Sequence, residues 1–245
     1  MPGLLKGRQS TAYTWLITGS SRGIGFEIVR QLLASPSNAV IATCRNPSGA
    51  SALQELKKTS EGRLHLVQLD ANNAESIQAS VSEAEKILGS RGLNYLVNNA
   101  GVVHGKDTAF AMTAKDVTDT FITNVVGPML VSQAYLPLLD KAERKVIMNV
   151  SSGYGSIGRQ ESGKLVAAYS ISKAALNMLV TKQAQERPDI ISYVINPGWV
   201  KTDMGGKEGK LEPEESVRQQ LKVATSATLE STGKFFDYDG SLLEW

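Results

Sequence analysis

Thr18-Gly19-Ser20-Ser21-Arg22-Gly23-Ile24-Gly25 follows directly on the apolar run Tyr13-Thr14-Trp15-Leu16-Ile17. A buried strand, a glycine-rich turn and a helix opening at Ile24 together make a site for a pyrophosphate. Gly19 permits the tight turn, Gly23 lets the backbone approach the phosphates, and Gly25 lets the helix pack close on the strand. The helix start adds free N–H groups and the positive end of its dipole. The spacing is G-x3-G-x-G rather than G-x-G-x-x-G. Glycines alone say little, since every turn is rich in them. The strand before them and the helix after them give the pattern its weight.

Composition bounds the protein that carries this loop. The chain has 245 residues, 42% of them hydrophobic, enough for one large α/β domain or two small ones. Its net charge is +2 and the charges are mixed along the sequence, which points to neither nucleic acid nor an acidic membrane surface. The single cysteine, Cys44, excludes an intrachain disulfide and fits a reducing compartment. Lys6 and Arg8 precede no apolar core of a signal peptide. No apolar run approaches the ~18 residues of a membrane span. His65, His104 and one cysteine make no metal-ligand cluster. The expectation is a soluble, cytoplasmic protein without a metal.

The chain alternates strand and helix throughout. Apolar runs rich in β-branched residues fall at about 13–18, 39–43, 64–69, 94–98, 145–150, 190–195 and 233–237. Helical segments fall between them, at roughly 24–34, 50–58, 73–88, 113–139, 168–186 and 214–228. Runs such as Ala39-Val40-Ile41-Ala42 are apolar almost without alternation, as strands buried on both faces must be. The pattern predicts an α/β fold: a doubly wound, mostly parallel sheet of about seven strands with helices on both faces. Nothing marks a linker, so residues 1–245 read as a single dinucleotide-binding domain. Residues 1–11 are expected to form a flexible N-terminus, and an irregular stretch is expected near 199–213.

Tyr169-Ser170-Ile171-Ser172-Lys173 opens the helix after the fifth strand. Tyr and Lys at i and i+4 share a helix face, with Cβ atoms ~5–6 Å apart. A nearby ammonium favours the phenolate and is expected to lower the tyrosine pKa. Alone, such a pair is commonly two solvated residues. Here it keeps company with Asn149-Val150-Ser151-Ser152-Gly153-Tyr154-Gly155 and Asn98-Asn99-Ala100-Gly101, both at the carboxyl ends of strands, where open α/β sheets place their ligands.

With these residues together, the chain resembles the short-chain dehydrogenase/reductase superfamily over nearly its whole length. The matching elements are TGSSRGIG (18–25), Asp70, NNAG (98–101), Asn124, Ser152, Tyr169 with Lys173, and Pro197-Gly198 ahead of Thr202. Within the superfamily, CRNP (44–47), PGWVKTDMGG (197–206) and DYDGSLLEW (237–245) resemble the C-factor and sniffer-type carbonyl reductases and the fungal ketoreductases.

The resemblance implies a role for each of these residues. Tyr169 would give a proton to a carbonyl oxygen as NADPH delivers hydride to its carbon. Lys173 would hold the nicotinamide ribose and depress the tyrosine pKa. A serine would hydrogen-bond the substrate oxygen. Ser151 and Ser152 both qualify by position, and Ser152 is chosen because the family serine is followed three residues later by glycine, here Gly155. Asn124 would sit at a break in its helix and hold a water linking the lysine to solvent. Gly19, Ser20, Ser21, Arg22, Ile24 and Gly25 would cradle the cofactor phosphates. Asn99 and Gly101 would lie beside the adenosine ribose and the central sheet, Asp70 would meet the adenine, and Val200 and Thr202 would contact the nicotinamide carboxamide. Residues 199–215 would form the substrate loop, and 159–168 a small insertion of the kind this subgroup tends to carry. Many relatives pair through helices, so a homodimer is expected through Leu176, Leu179 and Val180.

Cofactor choice has a physical argument of its own. NAD-specific sites place a carboxylate after the second strand to bind the ribose 2′-hydroxyl. Here that region reads Ala42-Thr43-Cys44-Arg45, with no acid. Arg45, with Arg22 in the glycine loop, suits a 2′-phosphate through charge-assisted hydrogen bonds, so NADP(H) is the expected cofactor. Cys44 reads as a buried apolar residue, not a redox switch. The expected activity is NADPH-dependent reduction of a small-molecule ketone, aldehyde or quinone. Two alternatives are weighed against it. A nucleotide-sugar epimerase or dehydratase shares the Tyr–Lys pair but normally needs a longer C-terminal lobe. A non-catalytic NADP(H)-binding regulatory or signalling protein would not require Ser152, Tyr169 and Lys173 together.

Overall fold

The computed structural model describes residues 13–159 and 163–245. The expected flexible N-terminus at 1–11, and residues 160–162 of the expected insertion, lie outside the described residues. Seven strands form one sheet: β1 (Tyr13–Ile17), β2 (Asn38–Cys44), β3 (Leu64–Gln68), β4 (Tyr95–Asn98), β5 (Val146–Val150), β6 (Ile191–Asn196) and β7 (Phe235–Asp237). Their order is β3-β2-β1-β4-β5-β6-β7, and every neighbouring pair is parallel. The expected doubly wound sheet is therefore present, and it is wholly parallel.

Both faces are covered, which explains the unbroken apolar runs. Trp15 and Ile17 of β1, Val40 and Ala42 of β2, and Tyr95 and Val97 of β4 point to one face. They meet Ile28, Val29 and Leu32 of α1 (Gly23–Leu32), Leu53 of α2 (Ser51–Lys58) and Val223 of α7 (Pro213–Ser226). Leu16, Ile41 and Leu96 point the other way, onto Ile77 of α3 (Ala74–Leu88) and Val131, Tyr135 and Leu139 of α5 (Gly127–Asp140). The period of two persists within each strand but is hidden, because both of its phases are apolar.

The expected helix over 113–139 is broken. α4 (Ala114–Phe121) passes through one π-helical turn, Ile122–Val126, before α5 begins at Gly127-Pro128. Pro128 sits at the start of α5, where a missing N–H costs nothing. The run Ala114–Asp140 is long and apolar enough to cross a membrane, but half of its most apolar window is buried inside the fold. We read it as a core helix.

α6 (Ala167–Glu186) corrects the expected dimer surface. Leu176 and Val180 are buried against Val194 and Phe235, and Leu179 packs beside them. The 3.6-residue period turns these three toward the sheet, leaving Ile171 and Met178 exposed instead.

One stack of rings anchors the first face. Trp15 lies fully buried on Tyr95, with ring centroids 3.7 Å apart and planes within 5°. Its indole N–H donates to Asn38 Oδ1 at 3.3 Å. Trp15→Ala removes the stack at the junction of β1, β2 and β4, and is expected to cost about 3–5 kcal/mol in urea unfolding. A loss below about 1 kcal/mol would mean that the site collapses around the deletion.

Candidate active site

The strand order reverses between neighbours β1 and β4, and their carboxyl ends open into a cleft of about 490 Å3. The glycine loop forms one wall. Gly19 has φ +66°, and a Cβ on it would lie 2.9 Å from Ala100 Cα. A Cβ on Gly25 would lie 2.5 Å from Asn99 Nδ2, whose amide donates to the carbonyls of Thr18 (3.0 Å) and Gly19 (3.2 Å). The glycines thus let α1 press against the β1–β4 junction. No side chain caps the start of α1, and its first turn holds no acidic residue. That helix end suits an anion.

Gly19, Ser21, Arg22, Ile24, Arg45, Asp70, Asn99, Gly101, Tyr169, Lys173 and Thr202 all line the cleft. Three other residues expected at the cofactor do not line the cleft. Ser20 turns inward and is fully buried, its backbone N–H and its hydroxyl both donating to the Thr43 carbonyl at 3.0 and 2.9 Å. Gly25 works in the packing behind the loop and not in the cleft wall. The Val200 side chain is buried away from the cleft, where its residue bridges to Leu211. The sequence also missed Val102, Val103 and His104, which line the cleft from an irregular loop with no motif to mark it.

Arg45 stands exposed at the end of β2, beside the buried Cys44. Burial raises the pKa of the Cys44 thiol, so it stays protonated at neutral pH. Arg22 reaches across the cleft mouth to Asp203, at 3.5 Å. The segment that carries Asp203 is folded back on itself. Trp199 donates through its indole to Gly205 O at 2.7 Å, Lys210 N–H donates to Trp199 O at 2.7 Å, and Lys201 pairs with Glu212.

At the far end stand Ser152, Tyr169 and Lys173. β5 delivers the serine, and α6 carries the other two on one face. Lys173 Nζ donates to Val150 O at 2.8 Å and lies 5.6 Å from the centre of the Tyr169 ring. Ser151 lines the cleft, which Ser152 does not, but its hydroxyl is engaged, donating to Asn177 Oδ1 at 2.6 Å. The Ser152 hydroxyl accepts from Tyr154 N–H at 3.2 Å and lies near enough to Tyr169 to favour its phenolate. After Ser152 the chain makes a 3-10 turn, Gly153–Gly155. A Cβ on Gly155 would lie 2.8 Å from Lys173 Cβ, which is a physical reason for a glycine three residues after the serine.

The electrostatics of the pair run against the sequence expectation. Burial pushes the Tyr169 phenol up to about 12, and the nearby Ser152 hydroxyl offsets only part of that. Burial also lowers Lys173, to about 8. The lysine is bonded to a carbonyl of β5, and the cost of removing each group from water decides both shifts. Tyr169 therefore holds its proton at neutral pH.

Asn124 lies fully buried in the π-turn, and its side-chain amide is committed. Oδ1 accepts from Val102 N at 2.8 Å, while Nδ2 donates to Val102 O at 2.9 Å and Ser172 Oγ at 3.0 Å. The side chain thus ties the cleft loop to α6. Sequence reasoning passed over Asn177 altogether. Its signal was a polar residue four after Lys173, in the buried stripe Ser172, Lys173, Leu176, Asn177 and Val180.

A parallel sheet of this order, with a nucleotide-type cleft at its switch point and a Tyr–Lys pair at one end, defines a Rossmann-type oxidoreductase architecture. The family model for short chain dehydrogenase matches residues 14–213, and the chain belongs to that family. Among curated relatives, the short chain dehydrogenase gsfK of Penicillium aethiopicum is 34% identical over 251 residues, covering 95% of this chain and 99% of the relative. Among solved structures, the NADPH-bound carbonyl reductase from chicken fatty liver is 36% identical, with a TM-score of 0.91 over 96% of this chain and all of its own. The carbonyl reductase Sniffer of D. melanogaster is 32% identical, with a TM-score of 0.90 and the same coverage.

The lysine generates a prediction with a definite sign. Its folded pKa of about 8 lies below the ordinary 10.5, so the unfolded chain binds this proton more tightly. Below about pH 8 the ammonium is charged in both states and its burial cost is fully present. That cost is relieved as pH rises from about 8 toward 10.5, and stability from this group rises with it. In Lys173→Met the unfolding free energy should climb less steeply over that range than in the wild type. Identical slopes would show that the ammonium is solvated.

Proposed function

We propose that the protein is an NADPH-dependent carbonyl reductase that converts a ketone, aldehyde or quinone to the alcohol. The observation that carries this reading is the meeting of Tyr169 and Lys173, with Ser152 beside the tyrosine, at one end of a cleft whose other end presents Arg22 and Arg45 and no carboxylate after β2. The chicken and fly carbonyl reductases support it by likeness. The chain works as one dinucleotide-binding catalytic domain, with 199–215 as the loop over the substrate.

The residues fit a nicotinamide dinucleotide. The uncapped start of α1 and the positive-φ Gly19 and Gly23 suit its pyrophosphate. Asp70 would meet the adenine, and Thr202 and Lys173 the nicotinamide end; all three line the cleft. When bound, the cofactor supplies hydride to the carbonyl carbon. Ser152 donates a hydrogen bond to the carbonyl oxygen and stabilises the charge that develops there. Tyr169, protonated because burial raises its pKa, gives its proton to that oxygen. Lys173 holds the ribose and favours the phenolate left behind.

Tyr169→Phe removes the proton donor but no cofactor contact. Turnover should fall by about 10²–10⁴-fold while NADPH affinity, read by fluorescence titration, stays near wild type. Retention of more than about a tenth of the activity would remove Tyr169 from the role.

Arg45→Asp tests the cofactor. A carboxylate there repels a 2′-phosphate and accepts from a ribose hydroxyl, so the ratio of kcat/KM for NADPH over NADH should fall at least about tenfold at fixed ionic strength. An unmoved ratio would place Arg45 in solvent and specificity elsewhere.

A further inference from the structure

Asn177 sits one turn beyond Lys173 on α6 and is only 3% exposed. A buried amide beside Leu176 and Val180 is costly unless both of its ends are bonded. Both ends are bonded to the segment that carries Ser152. Oδ1 accepts from Ser151 Oγ at 2.6 Å, and Nδ2 donates to Gly155 O at 3.3 Å. The side chain therefore brackets Ser152, holding the residue before it and the residue three after it. Gly155 meets Lys173 on the same helix face, so the 3-10 turn is laid directly on the helix that bears the Tyr–Lys pair. Asn177 does not line the cleft.

We propose that Asn177 is a positioning residue that sets the Ser152 hydroxyl relative to Tyr169. The inference rests on the carbonyl-reductase reading, in which Ser152 binds the substrate oxygen. Reacting groups tolerate little misplacement, and a shift of ~1 Å can cost about 10²-fold in rate. The far side of the turn is held separately: Ser156 Oγ donates to Glu244 O at 2.7 Å, and Gly158 N–H donates to Trp245 O at 2.9 Å. Loss of Asn177 thus loosens the Ser152 end and leaves the outer end anchored.

The test is Asn177→Ala, alone and combined with Ser152→Ala, in the full-length chain. The single variant should lose about 10–100-fold in kcat. Its NADPH dissociation constant, read by fluorescence titration, should hold within about twofold, because Asn177 touches no cofactor wall. In the Ser152→Ala background the same substitution should add less than about twofold, since the group it positions is gone. Hydrogen–deuterium exchange should quicken in 151–156 and stay unchanged in 19–25.

An equal loss in both backgrounds would overturn the proposal, as would unaltered exchange at 151–156 or a general rise in exchange with weakened NADPH binding. If Ser152→Ala itself keeps full turnover, the reading of the site fails instead, and the exchange pattern alone then decides whether Asn177 holds the turn. Should Asn177→Ala not fold, Asn177→Asp serves. It keeps the acceptor for Ser151 and loses the donor to Gly155, and its kcat and exchange should fall between wild type and the complete loss.

Discussion

Because β3 ends on an outer edge of the sheet and the chain returns to lay β4 against β1, the loops that leave those two strands must turn apart. Thr18 and Asn99 stitch the junction from both sides: Thr18 Oγ1 accepts from the N–H groups of Asn99 and Ala100 at 3.0 and 3.1 Å, and the Asn99 amide returns bonds to the carbonyls of Thr18 and Gly19. The two loops are therefore one rigid unit. Their separation sets the width of the cleft, and the start of α1 is aimed into it. The glycine loop and the start of the loop after β4 take their positions from this contact.

The opposite end is governed by desolvation. Lys173 and Tyr169 are held where water would be the better neighbour, and the pKa of each is moved toward its neutral form. Such placement opposes stability, so it persists only where the surroundings fix it. The surroundings here are polar and largely engaged, with the Asn98 Oδ1 left without a partner. Asn98 Nδ2 donates to Asn149 Oδ1 at 2.9 Å and to Ser132 Oγ at 3.0 Å, and Asn124 and Asn177 each hold neighbouring chain with both amide ends. These bonds tie β4, β5, α5 and α6 to the loops around the cleft.

What was legible in the sequence follows from the range of the signals. Strand and helix positions rest on local periodicity, and the seven-stranded parallel sheet could be read from it. The cleft was legible for the same reason, because glycine turns and strand ends are local patterns. The misses are tertiary. Ser20 lies inside a loop motif, yet its direction depends on a Thr43 carbonyl 23 residues away. Leu176 and Val180 read equally well as a partner surface or as core until β6 and β7 are placed. The Tyr–Lys spacing gives proximity, but the sign of the tyrosine shift is set by burial, which the spacing does not reveal. Asn177 has no motif of its own, and only the fold brings Ser151 and Gly155 to it.

The same balance of terms bears on cofactor choice. Arg22 and Asp203 stand 3.5 Å apart with their side chains 75% and 78% exposed, so their attraction is screened by solvent and salt. A pair of this kind holds the guanidinium only loosely. A dianionic phosphate offers Arg22 more charge and a bidentate geometry, and would draw it from Asp203 at little cost. Selectivity on the proposed reading then lies less in Arg22, which answers to two partners, than in the end of β2. There Arg45 follows Cys44 with no carboxylate to bond a 2′-hydroxyl, and a cofactor lacking the phosphate finds no substitute for the interaction it has lost.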